Sequence, residues 1–333
     1  MVCNYKKIAT MALLFGASAQ AQELFPVSDL ASSVPKGALG VRLFNTGYQE
    51  SNIYRSLGGL KLYYGATARL SVSATFSVSN IHKKTLPFDF ITHAHTGSSF
   101  SGSTNTPEAG RPYPYIYNGT NLYAKYRFFT SDGQNTHFRM AAYSEISKIE
   151  VPSHVAEPDL AIHTGGIGGG VIATYLKKHF AVSFTGGVVL PFDSKTDAKD
   201  SYGGIYPTTI SYGKAFNYDL SFGYLLYPRK YSNYNETNIN IYCEFNGRTY
   251  GAADITQKDG PYSWAATYHI SNNAPFLNSG SYLDCFPGIQ LILKSVYRVE
   301  FAAGFPLIGK SYEHLYPVYM VAMQRYFFFG RKS

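Results

Sequence analysis

The chain has 333 residues with a formal charge of +8; 16% are aromatic and only 15% are charged, where about a quarter is usual for a soluble globular domain. Thirty Tyr and 23 Phe stand against one Trp, and three Cys are too few for a disulfide framework at this length. That balance argues against an ordinary soluble enzyme, and no run of eighteen apolar residues is present to make a transmembrane helix.

At the start, Lys6 and Lys7 precede the apolar run 8–15, and Ala19-Gln20-Ala21 supplies small residues for cleavage. Residues 1–21 therefore read as a secretory signal peptide. Its removal takes two Lys and Cys3, leaving a charge of about +6 and two cysteines, Cys243 and Cys285. Cys3 lies before the apolar run, so a lipid-anchored amino terminus is not expected. Residues 22–37, with Pro26 and Pro35, read as a periplasmic leader or as a plug folded into a barrel mouth.

From residue 38 to 329 the chain repeats one plan. Residues 69–79 place Leu70, Val72, Ala74, Phe76 and Val78 on one face and only Ser, Thr or Arg on the other, a period-two strand with one apolar surface. Strands are predicted at 38–48, 57–65, 69–79, 117–129, 137–149, 165–176, 179–190, 215–227, 238–247, 282–293, 298–307 and 316–329. Short or turn-rich links at 65–69, 130–136, 177–178, 228–237 and 294–297 alternate with longer ones at 81–116, 151–164, 191–214 and 248–281. Each strand is long enough to cross a bilayer when tilted, at about 9 to 11 residues. The fold class is all-β: a single antiparallel up-and-down transmembrane barrel of about 12 strands, within roughly 10 to 14. A short tail, 330–333, follows it. A secreted antiparallel sandwich also has alternating strands, but it does not require long and short links to alternate so regularly.

The polar faces carry Arg42, Lys61, Arg69, Lys125, Arg127, Arg139, Glu145, Asp219, Glu244, Asp284, Arg298, Glu300 and Arg325. Charges are costly at the lipid midplane, so parity sends them inward to a mixed but basic lumen. Lys61, Arg69, Lys125, Arg127, Arg139, Glu145 and Glu244 are the expected selectivity residues for a small polar or anionic solute. The competing reading is a salt-bridged interior that merely fills the barrel.

His82, His93, His95, His154, His163, His269 and His314 map to the predicted extracellular side. His93 and His95 near Asp89 have a ligand-like spacing, yet in a Ser/Gly/Thr-rich loop they read as solvated, and no metal or other cofactor is expected. Gly166-Ile167-Gly168-Gly169-Gly170 lacks the Lys-Ser/Thr of a phosphate loop and falls in a strand, where close backbone approach is the better account. No Ser-His pair falls on the apolar faces, as an outer-membrane lipid hydrolase would need, so no enzymatic activity is expected. Basic residues are spread around the barrel rather than gathered in a stripe, which argues against nucleic acid as a partner.

The passage from Gly59 to Val72, with its Tyr64-Gly65-Ala66-Thr67 turn, resembles those of Gram-negative, Bacteroidota-like outer-membrane β-barrel proteins. It is loosely similar to transporter families grouped with phenol-degradation-pathway channels. The aromatic close Gln324-Arg325-Tyr326-Phe327-Phe328-Phe329 resembles the terminal strand read by barrel-assembly machinery, although four residues follow it. The resemblance implies a barrel in the cell outer membrane, with membrane lipid, assembly machinery and a small solute as partners. Passive transport is the leading expectation. The alternatives are a non-transporting surface barrel with partner-binding extracellular loops and, last, a lipid hydrolase.

Overall fold

A computed structural model describes residues 25, 27–86, 111–199, 202–229, 236–257 and 275–329. The predicted signal segment, the 330–333 tail and His93, His95 and His269 lie outside the described residues. The strands in chain order are β1 (Ala38–Glu50), β2 (Ile53–Gly65), β3 (Leu70–Ser79), β4 (Ile116–Asp132) and β5 (Thr136–Ile149). Then come β6 (Gly166–Lys177), β7 (Phe180–Pro191), β8 (Ser194–Lys199), β9 (Ile205–Ser211) and β10 (Ala215–Tyr227). The last are β11 (Asn238–Tyr250), β12 (Asp254–Gln257), β13 (Gly280–Leu293), β14 (Tyr297–Ile308) and β15 (Val318–Phe328). Twelve of them close into an antiparallel barrel, each beside its predecessor, and β1 seals against β15 from Ala38 opposite Phe328 to Gly47 opposite Tyr319. The other three, β8, β9 and β12, form a small sheet within the long links.

Alternation decides which side of the wall each residue occupies. Ser71, Ser73, Thr75, Ser77 and Ser79 are buried, while Val72, Phe76 and Val78 are exposed on the outer surface. The same holds on β7, where Ala181, Ser183, Thr185 and Val189 are buried between exposed Phe180, Phe184, Val188 and Leu190. A continuous outer belt of large apolar residues is far beyond what a soluble monomer carries. Closure leaves no edge strand with unpaired backbone groups, which is the condition for standing in hydrocarbon. The belt faces lipid and the serines face the lumen; this is a membrane-spanning barrel. Cys243 and Cys285 are free thiols with their sulfurs 3.3 Å apart on neighbouring strands of that outer face.

Most of the turns on the side of the chain termini are tight, the 228–237 link excepted. Thr67 builds the β2–β3 turn, its hydroxyl accepting from the Arg69 and Leu70 amides at 3.1 and 2.9 Å. Lys294 and Ser295 both adopt the left-handed conformation, with φ of 51° and 54°, as a primed hairpin turn requires. On the opposite side the first link is shorter than its composition suggests. β1 and β2 extend to Glu50 and Ile53, leaving Ser51 and Asn52 as the turn. Arg55, fully buried, holds the extension by bonding Glu50 at 2.7 Å and the Asn80 carbonyl at 3.1 Å.

One inward assignment is corrected. On β15 the buried residues are Val318, Met320, Ala322 and Gln324, so Arg325 points outward. Its guanidinium lies over the rings of Phe327 and Tyr297, 4.6 and 5.0 Å from their centroids. At the end of a strand such a side chain rests its stem on the aromatic girdle and leaves its charge at the interface.

Candidate functional site

The lumen is occupied from one end by the chain's own amino-terminal segment. Residues 27–37 carry no periodicity, and several of their backbone groups are satisfied by barrel side chains. Glu244 accepts from the Val27 and Ser28 amides at 3.0 and 2.6 Å, Thr174 from the Ala31 amide at 2.9 Å. Lys125 donates to Asp29 Oδ1 at 2.8 Å and to the Leu30 carbonyl at 2.6 Å, and Arg139 to Ser32 Oγ at 2.9 Å. Phe25 and Leu30 pack in an apolar cluster with Tyr242, Phe286 and Met320. The segment leaves past Gly65, whose carbonyl accepts from the Gly37 amide at 2.8 Å. A Cβ on Gly65 would lie 2.1 Å from the Pro35 carbonyl oxygen, so this position demands glycine for close backbone approach.

The opposite end is covered by the β5–β6 link. Residues 151–157 are all buried, and an apolar cluster including Val155, Leu160, Leu86, Ile210, Phe276 and Tyr250 forms the cap. Its polar groups are paired inside. Glu157 accepts from Ser311 Oγ at 3.0 and 2.9 Å and from the Tyr312 amide at 3.1 Å. Arg248 Nη2 reaches Asp159 at 3.0 Å, and Asp159 in turn organises its own turn by accepting from the Ala161 amide at 2.9 Å. Burial alone would raise the Asp159 carboxyl, but Arg248 and His163 overcome it and hold the group below the usual carboxylate range. Glu313 faces two histidines of this cap, His82 at 3.9 Å and His163 at 3.6 Å, and His154 meets His82 edge-on at 5.2 Å between ring centroids. Among the described residues no group of three or more His, Cys, Asp or Glu has the arrangement of a metal site.

Between the two closures lies a chamber of about 400 Å³. Its floor is Phe25, Val27, Ser28 and Asp29 and its roof Asp159 to Ile162. One wall is aromatic: Tyr123 and Tyr143 stack with centroids 5.4 Å apart, and the Lys61 ammonium lies over the Tyr63 and Tyr123 rings at 5.0 and 5.6 Å. Tyr143 lies flat because the positions beneath it have no side chains. Gly170 is its partner on β6 and Gly187 is the partner of Gly170 on β7, and a Cβ on Gly187 would stand 2.0 Å from the Tyr143 hydroxyl. The glycine-rich stretch on β6 thus serves close packing within a strand, as expected.

The seven expected selectivity residues separate into three groups. Lys61 and Glu145 line the chamber. Lys125 and Glu244, buried at 4% and 0% exposure, lie under the amino-terminal segment and hold it, and Arg139 holds it from the rim, where it also pairs with Asp132 at 3.1 Å. Arg69 is an exposed turn residue, and Arg127 donates to the Ala68 carbonyl at 2.9 Å on the same rim. The expected basic lumen is corrected as well. Asp29, Glu145, Asp159, Asp219 and Asp284 line the chamber against Arg42, Lys61 and Arg248, while half of the predicted basic residues, Arg69, Arg127, Arg139 and Arg325, sit at strand ends or turns. Asp29, Asp159 and Arg248 were not selected from the sequence. Arg248 had a signal: the inward even-numbered series of β11 runs unbroken from Asn238 to Tyr250.

No protein-family model matches the chain, and no curated protein matches it. Among solved structures, an outer membrane channel from Pseudomonas putida F1 is 14% identical, with a TM-score of 0.48 over 92% of this chain and 100% of that one. The beta domain of the Bordetella autotransporter BrkA is 11% identical, with a TM-score of 0.42 over 88% and 100%. The Pseudomonas putida toluene transporter TodX is 10% identical, with a TM-score of 0.30 over 87% and 86%.

Proposed function

We propose that this barrel is an outer-membrane channel for passive passage of a small polar solute, closed at rest by two of its own segments. The observation that carries the reading is the chamber of about 400 Å³, its walls part aromatic and part charged, between the amino-terminal segment below and the β5–β6 link above. That size falls within the range of small-molecule sites, about 300 to 1,000 Å³. Neither closure belongs to the barrel wall, so displacing either leaves every wall hydrogen bond in place. The alternative of a filled, purely structural interior accounts less well for a chamber whose carboxylates outnumber its basic groups. The proposed orientation sets both chain ends and the tight turns at the periplasm, and the cap outside.

Planar-bilayer recording tests this. The refolded full chain is expected to give rare, small openings, and deletion of 22–36 steady current. Absence of current from both would sink the channel reading and favour a surface barrel whose extracellular loops bind a partner.

A further inference from the structure

Most of the fixed charge around the chamber is neutralised by ion pairs: Lys125 with Asp29, Arg248 with Asp159, and Arg42 with Glu300, at 2.8, 3.0 and 2.9 Å. The wall also carries Glu145, Asp219 and Asp284, with Lys61 over the Tyr63 and Tyr123 rings and His314 3.5 Å from Asp284. Glu145 and Asp219 stand apart from the other carboxylates because their hydrogen bonds come from neutral amides, Asn121 at 2.9 Å and Asn246 at 2.5 Å. Among the described residues no basic side chain lies within 4.0 Å of either. Lys61 and Arg248 act on them only from beyond that distance; carboxylates withdrawn from water with no cation in direct contact are costly, and a cation entering the chamber offsets that cost where an anion would add to it.

A second observation points to the same wall. Thr185 faces the chamber directly across from Asp219 in the β7–β10 register, is 6% exposed, and its hydroxyl has no hydrogen-bond partner among the described residues. Asn246 and Asp284 continue the same row onto β11 and β13. The Tyr143 ring, laid over Gly170 and Gly187 and stacked beside Tyr123, lines the chamber next to Glu145. Two amide-held carboxylates, a hydroxyl lacking a partner and a flat aromatic surface suit a ligand that has an ammonium group and hydroxyls on a compact carbon frame.

We propose that the Glu145, Tyr143, Thr185 and Asp219 wall is a recognition site for a small hydroxyl-bearing organic cation. This deepens the channel reading by naming the solute class and rests on the chamber being reached from solution. Of the small polar or anionic solutes expected from the sequence, it departs from the anionic ones.

The test uses three sugars of matched size and opposite charge, namely glucosamine, glucose and glucuronate, with the detergent-solubilised full chain and equilibrium calorimetry after long incubation. Glucosamine is expected to bind at least about tenfold more tightly than glucuronate, and Glu145→Gln and Asp219→Asn each to weaken it by about tenfold, toward the affinity for glucose. Heat-modifiable gel migration establishes that each variant is folded, and the two variants lie on different strands, so failure of one to fold leaves the other. Glucuronate binding as tightly as glucosamine, glucosamine affinity unchanged in both variants, or no glucosamine binding at all would each overturn the site. Ion current is measured on the same preparation: current without glucosamine binding refutes the site and spares the channel, and binding without current supports the site and refutes the channel.

Discussion

Lys125 Nζ bonds both Asp29 Oδ1 and the Leu30 carbonyl, at 2.8 and 2.6 Å, so one lysine of the barrel wall grips a side chain and the backbone of the segment that closes it. The two residues are 96 positions apart in the chain. Lys125→Met keeps the length of the stem and removes both bonds. Breaking a fully buried pair from one side costs about 3 to 5 kcal/mol; the Asp29 side chain retains 31% exposure, which reduces the expected loss to about 1 to 3 kcal/mol. Open probability in planar bilayers should therefore rise roughly tenfold or more. Currents identical to those of the unsubstituted chain would remove Lys125 as a latch.

Gly170 and Gly187 lie side by side under Tyr143 but meet different atoms. A Cβ on Gly170 would stand 2.2 Å from the Gly186 carbonyl oxygen, which is backbone; on Gly187 it would meet the movable end of the tyrosine. Gly170→Ala should therefore lower the yield of folded, heat-modifiable barrel, by an overpacking cost of about 1 to 3 kcal/mol. Gly187→Ala should fold and instead lift the Tyr143 ring into the chamber, lowering single-channel conductance. Equal folding yields for the two would show that the β6 wall tolerates displacement there.

The barrel was legible because each strand carries its own alternation, and closure needs no information beyond twelve such segments and their links. All twelve predicted strands coincide with barrel strands, with ends shifted by a few residues, as at Ile53 and Tyr250. The chamber was less legible. Parity places Lys125 and Glu244 in the lumen, but what they meet there is a segment without periodicity, positioned by bonds such as Ser28 to Glu244 across 216 positions. β8, β9 and β12 were missed for a related reason: they pair with one another over the cap, and short strands without a lipid face lack the long apolar alternation. Arg325 shows how a one-residue error in parity moves a charge from lumen to lipid rim.

Adjacent residues on β3 test the two faces of the wall. Phe76 is 42% exposed in the outer belt, whereas Thr75 is buried and lines the chamber. Phe76→Arg should destabilise the barrel in lipid by about 2 to 4 kcal/mol, the cost of a cation near the bilayer midplane. Thr75→Arg projects into the lumen and should alter conductance while leaving the unfolding midpoint nearly unchanged. Denaturant titration of both variants in vesicles measures the contrast, and a larger loss for Thr75→Arg would reverse the assignment of inside and outside.

The cap should loosen in acid. Burial, followed by the nearby Arg55 guanidinium, pushes the His82 imidazole down to about 4, with Glu50 opposing. Burial also lowers His163; Glu313 and Asp159 pull it upward, and Arg248 and His82 push it down. Both groups bind protons more weakly in the closed cap than when exposed, so their contribution favours closure above the ordinary histidine value and is lost as pH falls from there toward 4. For His82 the separation from the ordinary value of about 6.5 corresponds to roughly 3 kcal/mol once protonation is complete. Because both side chains belong to the cap and not to the wall, the expected effect is more frequent opening between pH 6.5 and 4 with the barrel still heat-modifiable. His82→Gln removes the larger contribution and should flatten the pH dependence of open probability. An unchanged profile in that variant, or opening that increases with alkali instead, would show that the cap is held by its apolar cluster and the Glu157 and Asp159 bonds, with the histidines as passive filling.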